Sequence, residues 1–478
     1  MDEWQRARLI PTWGVSSDTE AEMRATSATL SVLSVVRDFS SSLLSPLGAP
    51  TAVKASVECF TEPRFKKADG GQIRPDGAIV VSYGKRTWTA LVEVKTGRSV
   101  LDPEQVNGYI EVARSNGYDA IITISNELAV AGQHPTKGLK LRSNSKVQVH
   151  HISWTRLLAI AVTCKVHRGV SDPEQSWILG ELIRYLECDA SGAMSFNDMG
   201  ATWVAVREAA RDASLRKNSD GAMEVVERWD QLVRFVSLKL GADIGADVQQ
   251  VLTKPQLDPK FRTNSHLESL CSAGTLLGVL RVPNTVGDIT LEADLRARRI
   301  AVSVQLSAPA DRGNKGKLTW LLKQFKPDTP DGLIIEVWPR NAREPISVTL
   351  GQLRESKHDV EGLANREVIR FRLVQRSEMG LARKAGSKPL GFIDSVINAV
   401  EGFYERIVQN LVPYVAKAPQ VRVRAPEIDG AAVVAFAPTP IHSGIAAADD
   451  DVHSADQSPA HAANSSTDEP PTFSTVNP

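Results

Sequence analysis

The sequence predicts a mixed α/β fold with more than one hydrophobic core. Its 478 residues exceed the roughly 250 that a single core usually accommodates. Apolar residues make up 42% and charged residues 23% of the chain, as in ordinary globular proteins. Strand-like and helix-like periodicities alternate over the first third, which is typical of a mixed sheet covered by helices. We therefore predict an α/β domain at residues 1–165, a helical connector at 166–255, a second α/β domain at 256–417 and a mostly disordered tail at 418–478.

The first domain should begin with a helix followed by strands. Ser17 or Asp18 can cap a helix over residues 16–36, with Met23 and Leu30 on its predicted apolar face. Runs rich in β-branched residues then predict three strands that pair consecutively and antiparallel. These runs are Ala52–Phe60, Gly77–Tyr83 and Trp88–Val94.

A helix and two further strands should complete the first sheet. Asp102–Ser115 has an Asp-Pro start and apolar residues at helical spacing. Short strands are predicted at Asp119–Ile124 and Lys146–Ile152, and a helix at Trp154–Val162. The resulting order is αβββαββα, in which the strand after the crossover helix can return parallel.

Helices are predicted through the middle of the chain, and strands return from about Thr275. From Ala446 onward Ala, Asp, Ser, Pro and His dominate, which predicts disorder. The expected middle helices are Glu174–Leu186, Thr202–Arg216 and Met223–Leu240. The expected elements of the second domain are strands at Thr275–Arg281, Asp288–Leu295, Arg299–Leu306, Gly332–Trp338 and Val368–Val374, and helices at Lys317–Phe325 and Phe392–Leu411.

The formal net charge is zero, so no global positive field attracts nucleic acid. Binding to nucleic acid would have to use a local basic patch. A solvated surface with interspersed acids is an equally good interpretation of the candidate patch. The candidate residues are Arg64, Lys66, Lys67, Arg74, Lys85, Arg86, Lys95 and Arg98.

The cysteines are widely scattered and lack metal-ligand spacing, which argues against structural zinc, an iron–sulfur cluster and a disulfide framework. They are Cys59, Cys164, Cys188 and Cys271. The N-terminal residues lack a secretory signal pattern, and no apolar run approaches about 18 residues. We expect a cytoplasmic protein.

Three charged residues carry the chemical prediction. Glu93 and Lys95 lie two apart on a strand, so their side chains leave the same face. Asp76 enters the preceding strand of the same hairpin, so pairing can bring its carboxylate beside Glu93. Two neighbouring carboxylates need a compensating cation, and a small set of hard oxygen ligands suits Mg²⁺, for which Mn²⁺ is expected to substitute. The alternative is a group of exposed charges beside a turn.

The sequence Pro75-Asp76, followed by Glu93-Val94-Lys95, resembles the PD-(D/E)XK signature of the restriction-endonuclease-like nucleases, over residues 16–165. This resemblance implies an αβββαβ core and hydrolysis of phosphodiester bonds in nucleic acid, with DNA expected over RNA. It also implies that Asp76, Glu93 and the Val94 carbonyl bind the metal while Lys95 serves catalysis.

The string VEVKTG, followed by Gln105 and Tyr109 one helical turn apart, resembles the RecB-type branch more narrowly. The resemblance implies that Gln105 and Tyr109 face the substrate, although a helical tyrosine can equally pack at the margin of a core. It further implies an acid from the first helix, which is either Glu22 or Glu20. The iron–sulfur cysteines of some members of that branch are missing.

Several alternatives remain open from the sequence. The fold can belong to a non-cleaving nucleic-acid-binding or regulatory protein, or to a nuclease that needs a homodimer or a partner protein. Residues 286–335 echo the layout of the first domain, with Asp288 in the position of Asp76, and Ser303 and Gln305 replacing Glu93 and Lys95. That echo is either a degenerate second copy or a coincidence.

Overall fold

The computed structural model describes residues 8–12, 14, 17–66, 70–130, 133–140, 145–356, 360, 362–363, 366–416 and 418. The tail from residue 419, for which we predict disorder, lies outside the described residues, as does Lys67 of the candidate basic patch. The described residues up to 416 belong to one compact unit with a mixed α/β fold.

The N-terminal part forms a helix-covered sheet. Its elements are, in chain order, α1 (Asp18–Val35), α2 (Arg37–Leu44), β1 (Ser56–Thr61), β2 (Phe65–Lys66), β3 (Gln72–Ile73), β4 (Gly77–Tyr83), β5 (Arg86–Val94), α3 (Pro103–Asn116), β6 (Ala120–Ser125), β7 (Gln148–Ser153) and α4 (Trp154–Val162). Ser17 caps α1 by accepting a hydrogen bond from the Glu20 amide, and Asp102 caps α3 in the same way.

The first sheet has the strand order β1-β4-β5-β6-β7. β1, β4 and β5 pair antiparallel, while β5, β6 and β7 pair parallel through the α3 crossover. The predicted change from antiparallel to parallel pairing is therefore confirmed. Its registers align Gly77 with Val92, Glu93 with Thr123, and Thr123 with His151.

The predicted first helix is confirmed with slightly shorter bounds, but one expectation about its apolar face is wrong. α1 ends at Val35, because Val36 adopts an extended conformation (φ −91°, ψ 95°) before α2 begins, and the sequence did not predict α2. This break directs Phe39 into the core. Met23 is 55% exposed, since the buried face of α1 uses small residues and threonines such as Ala25 and Thr26 instead.

Opposite faces of the first sheet cover separate cores. Val92 and Val94 on β5 point toward α1, α2 and α4, whereas Leu91 packs beneath α3 with Tyr109. Because strand side chains alternate, Glu93 shares the face of Leu91. The candidate site therefore lies on the α3 side of the sheet.

The remaining chain divides between this sheet and a second one. Its elements are α5 (Pro173–Leu186), α6 (Trp203–Arg211), α7 (Ala222–Ile244), β8 (Gln249–Gln250), α8 (Pro259–Ser272), β9 (Thr275–Arg281), β10 (Ile289–Asp294), β11 (Arg299–Ser307), α9 (Asn314–Leu322), β12 (Ile334–Pro339), β13 (Ile346–Thr349), α10 (Leu350–Glu355), β14 (Val368–Glu378) and α11 (Phe392–Arg406). Within the predicted connector, α5 packs into the first core through Leu182 and Tyr185, while α6 and α7 pack into the core of the second sheet through Trp203 and Trp229.

The second sheet does not repeat the first. Its order is β13-β12-β14-β11-β10-β9-β8, and all its pairs are antiparallel. A copy would place β12 directly beside β11, but β14 separates them, so the suggested degenerate repeat is wrong in topology. Asp288 forms a bidentate ion pair with Arg281, Ser303 accepts a hydrogen bond from Arg372, and Gln305 is exposed.

Two further features concern the chemistry of the whole chain. The four cysteines, all within the described residues, are free thiols. Among the helices that the structure describes, none combines the length and the apolar character needed to cross a bilayer.

Candidate active site

The β4–β5 hairpin brings Asp76 and Glu93 together. Asp76 directly precedes Gly77, the register partner of Val92, so it lies opposite Glu93. The Val94 amide donates a hydrogen bond to Asp76 Oδ2 at 2.7 Å. This bond fixes the Asp76 carboxylate at the end of β5, as the hairpin prediction requires.

Glu93 is completely buried, which is unusual for a carboxylate. Its Oε1 atom accepts a hydrogen bond from Lys95 Nζ at 2.6 Å. Its Oε2 atom is also buried and accepts no hydrogen bond of ordinary geometry from the described residues, although the nearby Tyr109 hydroxyl lowers the pKa of the carboxyl. Leaving such an acceptor unpaired costs roughly 1–3 kcal/mol, so Oε2 is chemically suited to receive a ligand.

Lys95 connects the strand to the first helix. Its ammonium donates to Glu93 Oε1 and, at 3.0 Å, to Glu22 Oε1. The Lys95 side chain is 14% exposed. Glu20 is exposed and is not among the acids paired with Lys95, so α1 brings Glu22 rather than Glu20 to the cluster. The Trp154 indole N–H donates to the Lys95 carbonyl at 2.8 Å and holds the main chain in place.

Electrostatics in this cluster follow from burial and from mutual repulsion. Burial, followed by repulsion from Asp76, raises the pKa of Glu93 to about 7, although Lys95 opposes the shift. Burial also raises the pKa of Glu22. For Lys95 burial alone would lower the pKa, but attraction and hydrogen bonding by Glu93 and Glu22 outweigh it and raise the pKa. The ammonium therefore stays charged and compensates carboxylates that otherwise repel each other.

Gln105 and Tyr109 lie behind the carboxylates on α3. Gln105 Nε2 donates to the Tyr109 hydroxyl at 2.8 Å, and that hydroxyl donates to the Arg74 carbonyl at 3.3 Å. Burial and the negative charge of Glu93 raise the pKa of Tyr109. Tyr109 is only 1% exposed, so it packs as a core residue that supports the site, while half-buried Gln105 is the more accessible of the two.

A polar row that the sequence did not predict extends from Glu93 across the sheet. Thr123 is the register neighbour of both Glu93 and His151, and its hydroxyl lies 2.9 Å from His134 Nε2 and 3.0 Å from His151 Nδ1. The Thr136 amide donates to His134 Nδ1, and His151 Nε2 faces the Glu127 carbonyl at 2.8 Å.

These partners determine the protonation of both imidazoles. Because a carbonyl only accepts, His151 Nε2 carries its proton and Nδ1 accepts from the Thr123 hydroxyl. His134 Nε2 then donates to that hydroxyl. Burial lowers the pKa of His134 to about 4 and that of His151 to about 3, so both rings are neutral near pH 7. The adjacent histidines at positions 150 and 151 are visible in the sequence as a polar pair. The sequence has no local pattern that predicts the approach of His134 from the connection between β6 and β7.

The turn after Lys95 is fastened by Asn126. The Asn126 side-chain amide donates to the carbonyls of Gly97 and Gly192, at 2.9 and 2.8 Å, and its Oδ1 atom accepts from the Met194 amide. Gly192 has φ +71°, and an added Cβ would lie 2.8 Å from Thr96 Cβ. The close approach of these two segments therefore requires glycine at position 192.

The described residues of the candidate basic patch are exposed, except for half-buried Lys95. Arg74 contacts Glu62, so part of the positive charge is locally compensated. A cleft of about 860 Å³ borders the other side of the Thr96–Gly97 turn, but neither Asp76 nor Glu93 lines it. The assignment of the site therefore depends on its charged side chains rather than on the size of a cleft.

The two carboxylates form a donor set that a magnesium ion accepts. Asp76 and Glu93 would supply two hard oxygen ligands, and the unpartnered Oε2 atom of Glu93 is the strongest indication of a missing partner. Mg²⁺ characteristically binds through one or two carboxylates and keeps its other positions for water and phosphate.

Comparison with protein-family models, curated proteins and solved structures found no match for this chain.

Proposed function

We propose that the N-terminal sheet carries a Mg²⁺-dependent nuclease that hydrolyses phosphodiester bonds in nucleic acid, with DNA as the expected substrate. The observation that carries this proposal is the buried Oε2 atom of Glu93, which lacks a partner although Asp76 and Lys95 lie beside it. The Lys95 ammonium compensates Glu93 through Oε1 alone, so Oε2 is available to a metal ion.

Each residue of the cluster has a role that its position supports. Asp76 and Glu93 would hold the ion, together with the Val94 carbonyl that the resemblance implies. Bound Mg²⁺ would polarise a phosphoryl oxygen and lower the pKa of a coordinated water. Lys95, already charged, would orient the attacking water and offset negative charge that develops on the phosphorus centre. Glu22 would keep the ammonium aligned through its 3.0 Å ion pair.

The supporting residues have less direct roles. Tyr109 and Gln105 would restrain the α3 side of the site, and Gln105 would contact substrate. The exposed arginines and lysines near the hairpin would bind phosphates without reading sequence. Defence, restriction or repair are the settings in which we expect such an activity.

Cleavage assays test the proposal directly. Supercoiled plasmid, single-stranded DNA and RNA would be incubated with the full chain in Mg²⁺, in Mn²⁺ and in EDTA. We expect metal-dependent cleavage that disappears in Glu93→Gln and persists in Glu111→Gln, a matched change at an exposed glutamate on α3. Binding without cleavage by the parent in both metals would favour the non-cleaving alternative, while cleavage only after addition of a cell extract would indicate a partner-dependent enzyme.

A further inference from the structure

A second cleft lies between α2, α4 and α7, and its wall is basic, unlike the carboxylate cluster. Its volume is about 550 Å³, within the range of small-molecule sites. The charged residues in its wall are Arg156, Arg168 and Arg234 against a single acid, Asp247, so three positive charges minus one negative leave a surplus of two. None of the residues of the candidate active site lines it.

Arg234 is the unusual member of this wall. Only 5% of the residue is exposed, and its guanidinium forms no ion pair with a described acid, since Asp247 acts on it through charge without a hydrogen bond. Its Nη1 atom donates to Ser237 Oγ at 3.3 Å. Burial lowers the pKa of Arg234 to about 10, and repulsion from Arg156 adds to the shift, which Asp247 only partly offsets. Buried charges are normally paired, so this arrangement is incomplete without an anion.

The other two arginines face the same space. Arg156 is half-buried on α4, and its guanidinium forms no ion pair with a described acid. Arg168 ends a π-helical segment, Thr163–Arg168, that continues α4, and it donates to Ser42 Oγ at 3.4 Å. Asp247 is exposed and accepts a hydrogen bond from Gln249 at 2.7 Å. One exposed acid with another partner does not neutralise three guanidinium groups.

We propose that this cleft binds a small phosphorylated ligand, whose phosphate groups contact Arg156, Arg168 and Arg234. Guanidinium groups match phosphate oxygens in paired hydrogen bonds, and three of them suit a ligand with more than one negative charge. The Ser42 hydroxyl in the wall accepts from Arg168 and can donate to a further ligand oxygen. Arg234 lies too deeply buried for the phosphates on the outside of a wide duplex, which favours a compact ligand over nucleic acid.

Binding of inorganic pyrophosphate to the full chain tests this site. Calorimetric titrations in EDTA, at constant ionic strength set with potassium chloride, would exclude any contribution from a metal at Glu93. We expect saturable binding by the parent. Arg156→Gln should weaken it at least about tenfold, since one hydrogen bond to a charged group contributes roughly that factor. Arg299→Gln, at an exposed arginine on β11, should bind like the parent.

Arg234→Met serves as a second variant, and circular dichroism would establish whether it folds; Arg156→Gln suffices if it does not. No saturable binding by the parent beyond the chloride control would overturn the proposal, and so would equal affinity in Arg156→Gln. Binding of a labelled DNA duplex to the parent and to Arg156→Gln is measured in parallel. If pyrophosphate fails to bind while Arg156→Gln weakens duplex binding, the arginines serve nucleic acid and the small-ligand proposal is wrong.

This inference does not depend on the nuclease activity. Asp76→Asn should lose cleavage and retain pyrophosphate binding. Arg156→Gln should retain cleavage and lose pyrophosphate binding. Absence of cleavage in the parent would contradict the nuclease proposal, whereas absence of pyrophosphate binding would contradict the ligand proposal, so the two failures are distinguishable.

Discussion

Replacing Lys95 with methionine separates the charge of this residue from its packing. Methionine keeps much of the apolar stem but removes the ammonium, and with it the hydrogen bonds of 2.6 Å to Glu93 and 3.0 Å to Glu22. If the ammonium stabilises charge that develops during hydrolysis, its loss should raise the barrier by roughly 2.7–4 kcal/mol, about 10²–10³ in rate. Affinity for DNA should change little, because one ammonium is a small part of a footprint with many phosphates.

The same substitution should also affect stability. It leaves Glu93 buried without its cation, and removal of one partner of a buried polar pair costs about 1–3 kcal/mol or more for charged groups. Because the pKa of Glu93 is already about 7, the carboxyl can take up a proton. We therefore expect the free energy of unfolding to fall by about 1 kcal/mol at neutral pH. Urea unfolding of the metal-free variant measures this loss.

The kinetic assay is single-turnover cleavage of plasmid DNA at saturating Mg²⁺, with duplex affinity measured separately. Lys95→Arg should also be impaired, since it keeps the charge but changes the geometry. Lys315→Met is the matched control at an exposed lysine on α9, outside the candidate basic patch, and it should cleave like the parent. Parental cleavage rates in Lys95→Met would refute a catalytic role for Lys95.

Three further outcomes are expected. Asp76→Ala and Glu93→Ala should each abolish metal-dependent cleavage while circular dichroism stays native, because each removes one of two carboxylates that repel each other; unfolding would indicate a structural role. Truncation after Ala418 should leave the melting temperature and cleavage unchanged, since the removed segment has too little apolar surface to offset ordering; a large fall in melting temperature would contradict this. Burial holds the pKa values of His134 and His151 below the value of about 6.5 that histidine has in the unfolded chain. Below about pH 6.5 the unfolded chain therefore binds protons that the folded chain does not. The contribution of these histidines to the free energy of unfolding is complete above about pH 6.5 and is lost as the pH falls toward about 4. His134→Gln should flatten that dependence in urea unfolding, and an unchanged slope would contradict it.

The first sheet could be predicted because the residues that determine its strand pairing lie close together in the sequence. Alternating β-branched runs define β4 and β5, the short turn between them sets antiparallel pairing, and the crossover rule gives the parallel neighbour β6. The two-residue spacing of Glu93 and Lys95 then places both side chains on one face. α2 escaped prediction because Arg37–Leu44 includes three consecutive serines and has too few residues to show a clear period.

The second sheet and the extended polar network could not be predicted in the same way. β14 inserts between β11 and β12 from far along the sequence, and no local pattern specifies such non-local pairing. The choice of Glu22 over Glu20 depends on how α1 packs against the end of β5. His134 lies on a long connection, and only folding brings it to Thr123. The proposed role of Arg234 likewise depends on the cleft that forms where separate helices meet.

Asn126 joins the turn after Lys95 to a glycine that lies 66 residues further along the chain. Between these positions α5 supplies Leu182 and Tyr185 to the core beneath α1. A fragment that stopped at residue 165 would expose that core to water and would lose the fastening of the turn. Transfer of the candidate site to another protein would therefore have to carry the chain at least as far as Met194, well past the boundary at residue 165 that the sequence predicts.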